Sequence, residues 1–379
     1  MQPLLDTLNT MRVQERLRPD QLTTRAEALL WERFGAEGGR AEAAFAHASL
    51  DIATEHTRYF DGIALLMPLQ EGCAVACRSG SGRHRVAVEE SASGLEAEIG
   101  DALRLLCAGT DQKLDVAVVT SLPPIVPSGP RAPALVALTR AVSALQARTT
   151  KEADDLAVLM DAKGPDRHVL AARLMAATPT TASGFILADT REGEFLPMDV
   201  PPMERPGLAL LSPGELEGDI PARGANRKLL REIMTQLRSG GFKDLRSVRE
   251  VEHRDLQRAL AAVEKRHRPL LTFLITETAR VQKMVIAIRR RDWQMFGALL
   301  LMSHAARVAD LGLKDSGSDM IVKEIENMSL EGMYGGSRLS ADSPTVLAAG
   351  QPFSVPPALE RLRASFTERF DAPLTTLLL

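Results

Sequence analysis

Thr54-Glu55-His56-Thr57-Arg58-Tyr59-Phe60-Asp61-Gly62, continued by Leu65-Leu66-Met67-Pro68, is the stretch on which the fold turns. It lies between two apolar segments, 43–52 and 63–78, that read as strands. Within the second, Ala74, Ala76 and Arg78 alternate with Val75 and Cys77, the period of two expected when successive side chains face opposite ways. Glu55 and His56 are thereby placed in the connection between two strands.

Working outward, residues 21–34 carry Ala26, Leu29, Leu30 and Phe34 at helical spacing, and Gly35 follows as a stop. Residues 95–107 predict an amphipathic helix with Ile99, Leu103 and Leu106 on one face. Residues 114–119 predict a short strand. A Pro-rich loop over 123–133 opens into a helix over 134–145, and 185–189 reads as another strand. Residues 197–206 hold four prolines and form the candidate linker. Beyond it the spacing predicts helices over 225–237, 255–265, 271–290 and 293–307. Val281, Val285 and Ile288 mark the core face of the third. Closing strands are expected at 346–349 and 375–379.

The chain has 379 residues, too many for one ordinary core, so two domains are expected. Mixed strands and helices followed by helices with a few strands give an α+β class, with units at 1–197 and 207–379. A 45% apolar and 25% charged composition is that of a globular chain. The net charge of -3 gives no electrostatic case for nucleic acid or an anionic membrane, and 4% aromatics provide few stacking platforms. No apolar run approaches the roughly 20 residues of a membrane span, and Met1 to Met11 show no signal-peptide core. Cys73, Cys77 and Cys107 form no framework, which fits a reducing compartment; a cytoplasmic protein is expected. Cys73 and Cys77 face the same way on a strand and read as buried thiols rather than a metal site.

The quoted stretch resembles the galactokinase signature G-E-H-T-D-Y-N-G-G, followed by L-P-M-A, and aligns with it without gaps. That family belongs to the GHMP kinase superfamily. Other segments follow in the family's order: Phe34-Gly35 before the signature, Leu114-Asp115-Val116 with Leu122-Pro123-Pro124, and Gly184 to Asp189 with Thr190-Arg191. Thr276-Glu277-Thr278-Ala279-Arg280-Val281 resembles T-E-N-A-R-V. Phe296-Gly297, Leu299-Leu300 and Ser303-His304 fit F-G-x-L-M-x-x-S-H. Gly336-Ser337-Arg338-Leu339-Ser340 resembles G-A-R-M-T. The resemblance implies a two-domain GHMP-kinase-like fold with ATP and a sugar in the cleft, and Mg2+ with the nucleotide if activity is retained. It places Glu55 and His56 at the sugar site.

Phosphoryl transfer needs a phosphate cradle, a metal, and groups that orient the attacking hydroxyl and stabilise charge. The family's cradle, G-L-S-S-S-A, is represented here by Pro127-Ser128-Gly129-Pro130-Arg131-Ala132-Pro133, whose three prolines lack N–H donors. Ser128, Gly129 and Arg131 are the phosphate-binding candidates that remain. The family's catalytic arginine falls on Ser49, which carries no charge. Its catalytic aspartate falls on or near Arg173, which cannot act as a base. Asp161 and Asp166 substitute only if the alignment slips. The sugar-binding aspartate is Arg58, which offers donors alone. The third, glycine-rich motif is replaced from Ala341-Asp342-Ser343-Pro344, where Asp342 sets a negative charge near a polyanion; Arg338 keeps its place. No catalytic residue and no metal ligand is assigned. The expectation is a galactokinase-like protein with lost or strongly reduced kinase activity and a binding or regulatory role. It would bind a small sugar or nucleotide, and a protein partner if regulatory. The alternative is a divergent ATP-dependent sugar kinase in which Arg131, Arg58 and Asp161 or Asp166 take over the missing roles.

Overall fold

The computed structural model describes residues 17–35, 39–148, 156, 157, 159, 167–214 and 225–379. Two sheets organise the chain. The first has six strands: β1 (Ala41–Ala53), β2 (Ile63–Gly80), β3 (Arg85–Val88), β4 (Lys113–Thr120), β5 (Phe185–Asp189) and β6 (Glu194–Met198). The long β2 is its spine. β2 pairs antiparallel with β1 over most of its length, with β4 through Cys73–Gly80 and with β5 through Ile63–Leu66. The second sheet is wholly antiparallel, in the order β10 (Thr375–Leu378), β7 (Gly207–Ser212), β9 (Ser343–Gly350), β8 (Met333–Ser340).

The alternation in β2 has a simple cause: both faces of the strand are covered. Ala74 and Ala76 meet helix α1 (Pro19–Phe34) through Leu22, Ala26 and Leu30. Cys73, Val75 and Cys77 meet α2 (Glu96–Leu106), α3 (Arg131–Leu145) and α4 (Arg167–Ala177). Burial pushes the Cys73 and Cys77 thiols up to about 12, so both stay protonated. Arg78 is buried beneath α1. Its guanidinium donates to the carbonyls of Phe34 at 2.7 Å and Gly35 at 2.8 Å, pairs with Asp115 at 3.2 Å and lies over the Trp31 ring. One arginine thus satisfies two open carbonyls where α1 ends.

The remaining helices are α5 (Ala225–Ser239), α6 (Leu256–Ala262), α7 (Arg268–Arg290), α8 (Trp293–Leu311), α9 (Ser316–Asn327) and α10 (Val355–Phe370). A shared apolar core joins the sheets: Leu50, Ile52 and Leu65 from the first pack with Leu210, Leu339 and Leu347 from the second and with Val281, Met284 and Leu299 between them. The Pro-rich segment is docked rather than loose. Met198 and Val200 enter this core, Arg291 pairs with Glu204 at 2.7 Å, and the Trp293 indole donates to the Glu204 carbonyl at 2.8 Å. The helix expected from residue 134 begins at Arg131, because Pro133 falls in the first turn, where a missing N–H costs nothing. No helix among the described residues is long and apolar enough to cross a membrane.

Candidate functional site

The signature folds as a one-turn 3-10 helix, Glu55–Arg58, between β1 and β2. Thr57 closes it, its hydroxyl donating to the Thr54 carbonyl at 2.6 Å. Glu55 and His56 are both buried, but they serve different neighbours. The Glu55 carboxylate accepts from the Ala341 N–H at 3.0 Å and so ties the turn to the β8–β9 connection. His56 Nε2 lies 2.7 Å from the Ile63 carbonyl, which requires a proton on that nitrogen; Nδ1 has no hydrogen-bond partner among the described residues. Burial lowers the His56 pKa, partly opposed by Glu277, so the ring is neutral near pH 7.

Behind His56 lies a buried ionic cluster that no single motif revealed. Glu277 on α7 is fully buried, 2.6 Å from Arg280 and within hydrogen-bond reach of Ser303. Arg307 approaches it at 3.8 Å and donates to the Arg338 carbonyl. Burial alone would raise the Glu277 pKa, but Arg280 and Arg307 hold it below the usual carboxylate value. His304 lies 3.2 Å from Asp319. The T-E-N-A-R-V, S-H and G-A-R-M-T matches therefore converge on one network between α7, α8 and β8.

Next to the turn, Asp51 on β1 and Arg173 on α4 form an ion pair. Asp51 Oδ2 accepts from Arg173 Nε at 2.9 Å and from a terminal nitrogen at 2.5 Å. The Asp51 side chain is only 3% exposed, and its Oδ1 has no hydrogen-bond partner among the described residues. Asp51 stands two residues beyond Ser49, and sequence reasoning missed it. The signal that was available is the pair of alternate positions on one strand.

The loop before α3 is tied down at several points. The Ser128 hydroxyl donates to the Ser49 carbonyl. Gly129 supplies a positive φ of 65°, and its N–H reaches the Val126 carbonyl at 3.3 Å. Arg131 pairs with Glu98 on α2 at 2.8 Å. Thr345 on β9 donates to the Ile125 carbonyl at 3.3 Å, and Ile125 and Val126 enter the shared core. Asp161 and Asp166 lie outside the described residues, as does the side chain of Arg58.

On the other side of the turn, Arg249 grips Asp189 through two hydrogen bonds of 2.7 and 2.6 Å. Arg191 reaches Asp61 at 2.6 Å and Glu250 at 3.1 Å, and the Ser247 hydroxyl donates to Asp61 at 2.6 Å. Burial would raise the Asp61 pKa, but the Arg191 and Ser247 hydrogen bonds win and lower it. The Arg249 hydrogen bonds do the same for Asp189. This lattice fastens the 246–250 segment to the end of β5 and borders a cavity of about 430 Å³ beside Tyr59 and Phe60.

Among solved structures, the chain matches the galactokinase of Lactococcus lactis in its complex with galactose over 94% of this chain and 97% of that one, with a TM-score of 0.75 at 14% identity. It matches mevalonate diphosphate decarboxylase from Staphylococcus aureus over 90% of this chain and 96% of that one, with a TM-score of 0.58 at 10% identity. A homoserine kinase from Cytophaga hutchinsonii is similar over 90% of this chain and 94% of that one, with a TM-score of 0.51 at 14% identity. No family model and no curated protein matches the sequence. At such low identities the likeness is one of fold, and the fold is GHMP-kinase-like. Within that class the galactokinase form gives a TM-score of 0.75 over nearly the whole of both chains.

Proposed function

We propose that this chain is a galactokinase-like binding or regulatory protein in which sugar kinase activity is lost or strongly reduced. The observation that carries this reading is the Asp51–Arg173 pair. Where the resemblance expects a carboxylate base, the chain presents a guanidinium, which cannot accept a proton. The acid that answers it belongs to the strand, is buried and is neutralised. Asp51 therefore offers no exposed base in exchange.

The loop before α3 supports the same reading. A nucleotide polyphosphate with Mg2+ calls for free backbone N–H groups, hydroxyls and a cation. Here Ser128 donates to protein backbone, Arg131 is held by Glu98, and three prolines remove donors. These residues fit a magnesium nucleotide poorly. The units 1–197 and 207–379 would flank the ligand-binding cleft. The ligand would be a small sugar or related molecule, the setting cytoplasmic, and a protein partner would read the bound state.

The test is thermal unfolding with and without Mg-ATP and galactose at millimolar concentration, run beside an ADP-release assay over neutral sugars. A ligand that binds only the folded state must raise the midpoint. The expected result is no shift with Mg-ATP and no sugar-dependent ADP. Sugar-dependent turnover of about 1 s⁻¹ or more, the range of working enzymes, would overturn the reading.

A further inference from the structure

We infer that the cavity beside the signature turn binds a small organic anion of hexose size, a sugar phosphate or sugar acid, rather than a neutral sugar. This names the ligand class of the binding protein proposed above and rests on that reading. The cavity, about 430 Å³, falls within the range of small-molecule sites. Its floor is apolar: Phe60, Met234 and Val248 belong to the helical core cluster. Its wall is cationic. Arg167, Arg231 and Arg246 line it from three separate elements: the start of α4, α5 and the 246–248 turn.

Charge accounting decides the ligand's sign. Asp61 is the one acid among the described lining residues, and it is already engaged by Arg191 and Ser247. Arg231 and Arg246 are exposed and have no carboxylate partner among the described residues. Arg167 donates to the His168 ring at 3.2 Å and has no carboxylate partner among the described residues. Three guanidiniums facing one cavity repel one another unless an anion joins them, and guanidinium forks match phosphate and carboxylate geometry. An apolar floor under a cationic rim suits a ring that carries an anionic group. A neutral sugar would leave the arginines unanswered.

The experiment measures binding of glucose 6-phosphate, galacturonate and galactose to the full chain by titration calorimetry, at low and at roughly physiological salt. At least one of the two anions is expected to bind more tightly than galactose, less so at higher salt; the arm that responds identifies phosphate or carboxylate. R231Q and R246Q, both at exposed positions, should each weaken that binding about tenfold. R289Q, at the exposed end of α7, should leave it unchanged. Galactose binding at least as tightly as both anions, no binding of either anion, or anion binding indifferent to both R231Q and R246Q would overturn the inference. These outcomes are separate from the ADP-release result, on which the loss of kinase activity stands or falls.

Discussion

Asp51 on β1 and Arg173 on α4, 122 residues apart in sequence, form an ion pair in which one carboxylate oxygen accepts from two guanidinium nitrogens. The acid is on the strand and the cation on the helix. The galactokinase resemblance implies an arginine at position 49 and an acid on or near position 173; here position 49 is serine and the acid stands two residues further along the strand.

The pair has a stability consequence. Removing Arg173 leaves a carboxylate that is 3% exposed without its cation. Breaking a buried pair from one side costs about 3–5 kcal/mol, and the 18% exposure of the Arg173 side chain argues for the lower end. Arg173→Ala should therefore lose about 3 kcal/mol in urea unfolding. Asp51→Asn combined with Arg173→Gln should lose clearly less, because no isolated charge stays buried. A double variant no more stable than the single one would show that the pair is not coupled.

Much of the architecture was legible because local pattern and tertiary role agree. Helix α1 shows the period that its buried face imposes, and β2 alternates because its two faces meet different partners. Helix α4 was not legible for a physical reason: Val169, Leu170, Ala171, Ala172, Leu174, Met175, Ala176 and Ala177 are all buried, so no polar face marks its period. Strand β8 is interrupted by Gly335 and Gly336, and α10 opens Val355-Pro356-Pro357, signals that read as breaks. For the site, sequence gave residue types but not partners. Arg131 was visible as a cation, but Glu98 that neutralises it stands on another helix. Asp51 became visible only when α4 was laid across β1.

Glu277 is the acid at the centre of the α7–α8 cluster. Replacing it with glutamine keeps the shape but leaves Arg280 and Arg307 facing each other in a buried site. Glu277→Gln should cost about 3 kcal/mol or more. The pH dependence has a definite sign. The folded pKa lies below the ordinary glutamate value of about 4.3, so this stabilisation is complete above that value and is lost as pH falls through the lower, folded one. Unfolding free energies between pH 6 and pH 3 should decline more steeply in the wild type than in Glu277→Gln. Parallel curves would place the acid sensitivity elsewhere.

His56 predicts a second pH dependence, at a different place on the scale. Its folded pKa is lowered by burial, while the unfolded side chain titrates near 6.5. Above about pH 6.5 neither state is protonated at this residue, and folding is not penalised. As pH falls from there toward the folded value, the unfolded state takes up a proton that the folded state refuses, and stability drops. His56→Gln can still donate to the Ile63 carbonyl but does not titrate. The wild-type melting midpoint should fall further between pH 7.5 and 5.5 than that of His56→Gln. His47, whose pKa burial also lowers, leaves a residual slope in both proteins. Equal slopes would mean that folding leaves the His56 pKa where it stands in the unfolded chain.

The packing of α8 on β8 yields a prediction about a residue with no side chain. A Cβ on Gly297 would lie 2.4 Å from the Tyr334 backbone, and one on Gly335 would lie 2.2 Å from the Gly297 carbonyl oxygen. The two glycines thus let a helix and a strand touch backbone to backbone, and neither neighbour is a flexible side-chain tip that can swing away. Gly297→Ala forces the helix off the strand that carries Arg338, whose carbonyl Arg307 holds. Overpacking of this kind costs about 2 kcal/mol, against the small gain alanine ordinarily brings inside a helix. Gly100→Ala, in α2 with open space around it, is the matched control and should be neutral or slightly stabilising. Melting midpoints of the two variants should therefore move in opposite directions, or the Gly297 variant alone should fall. If Gly297→Ala melted with or above the wild type, the close approach of α8 and β8 would not be a constraint on this fold.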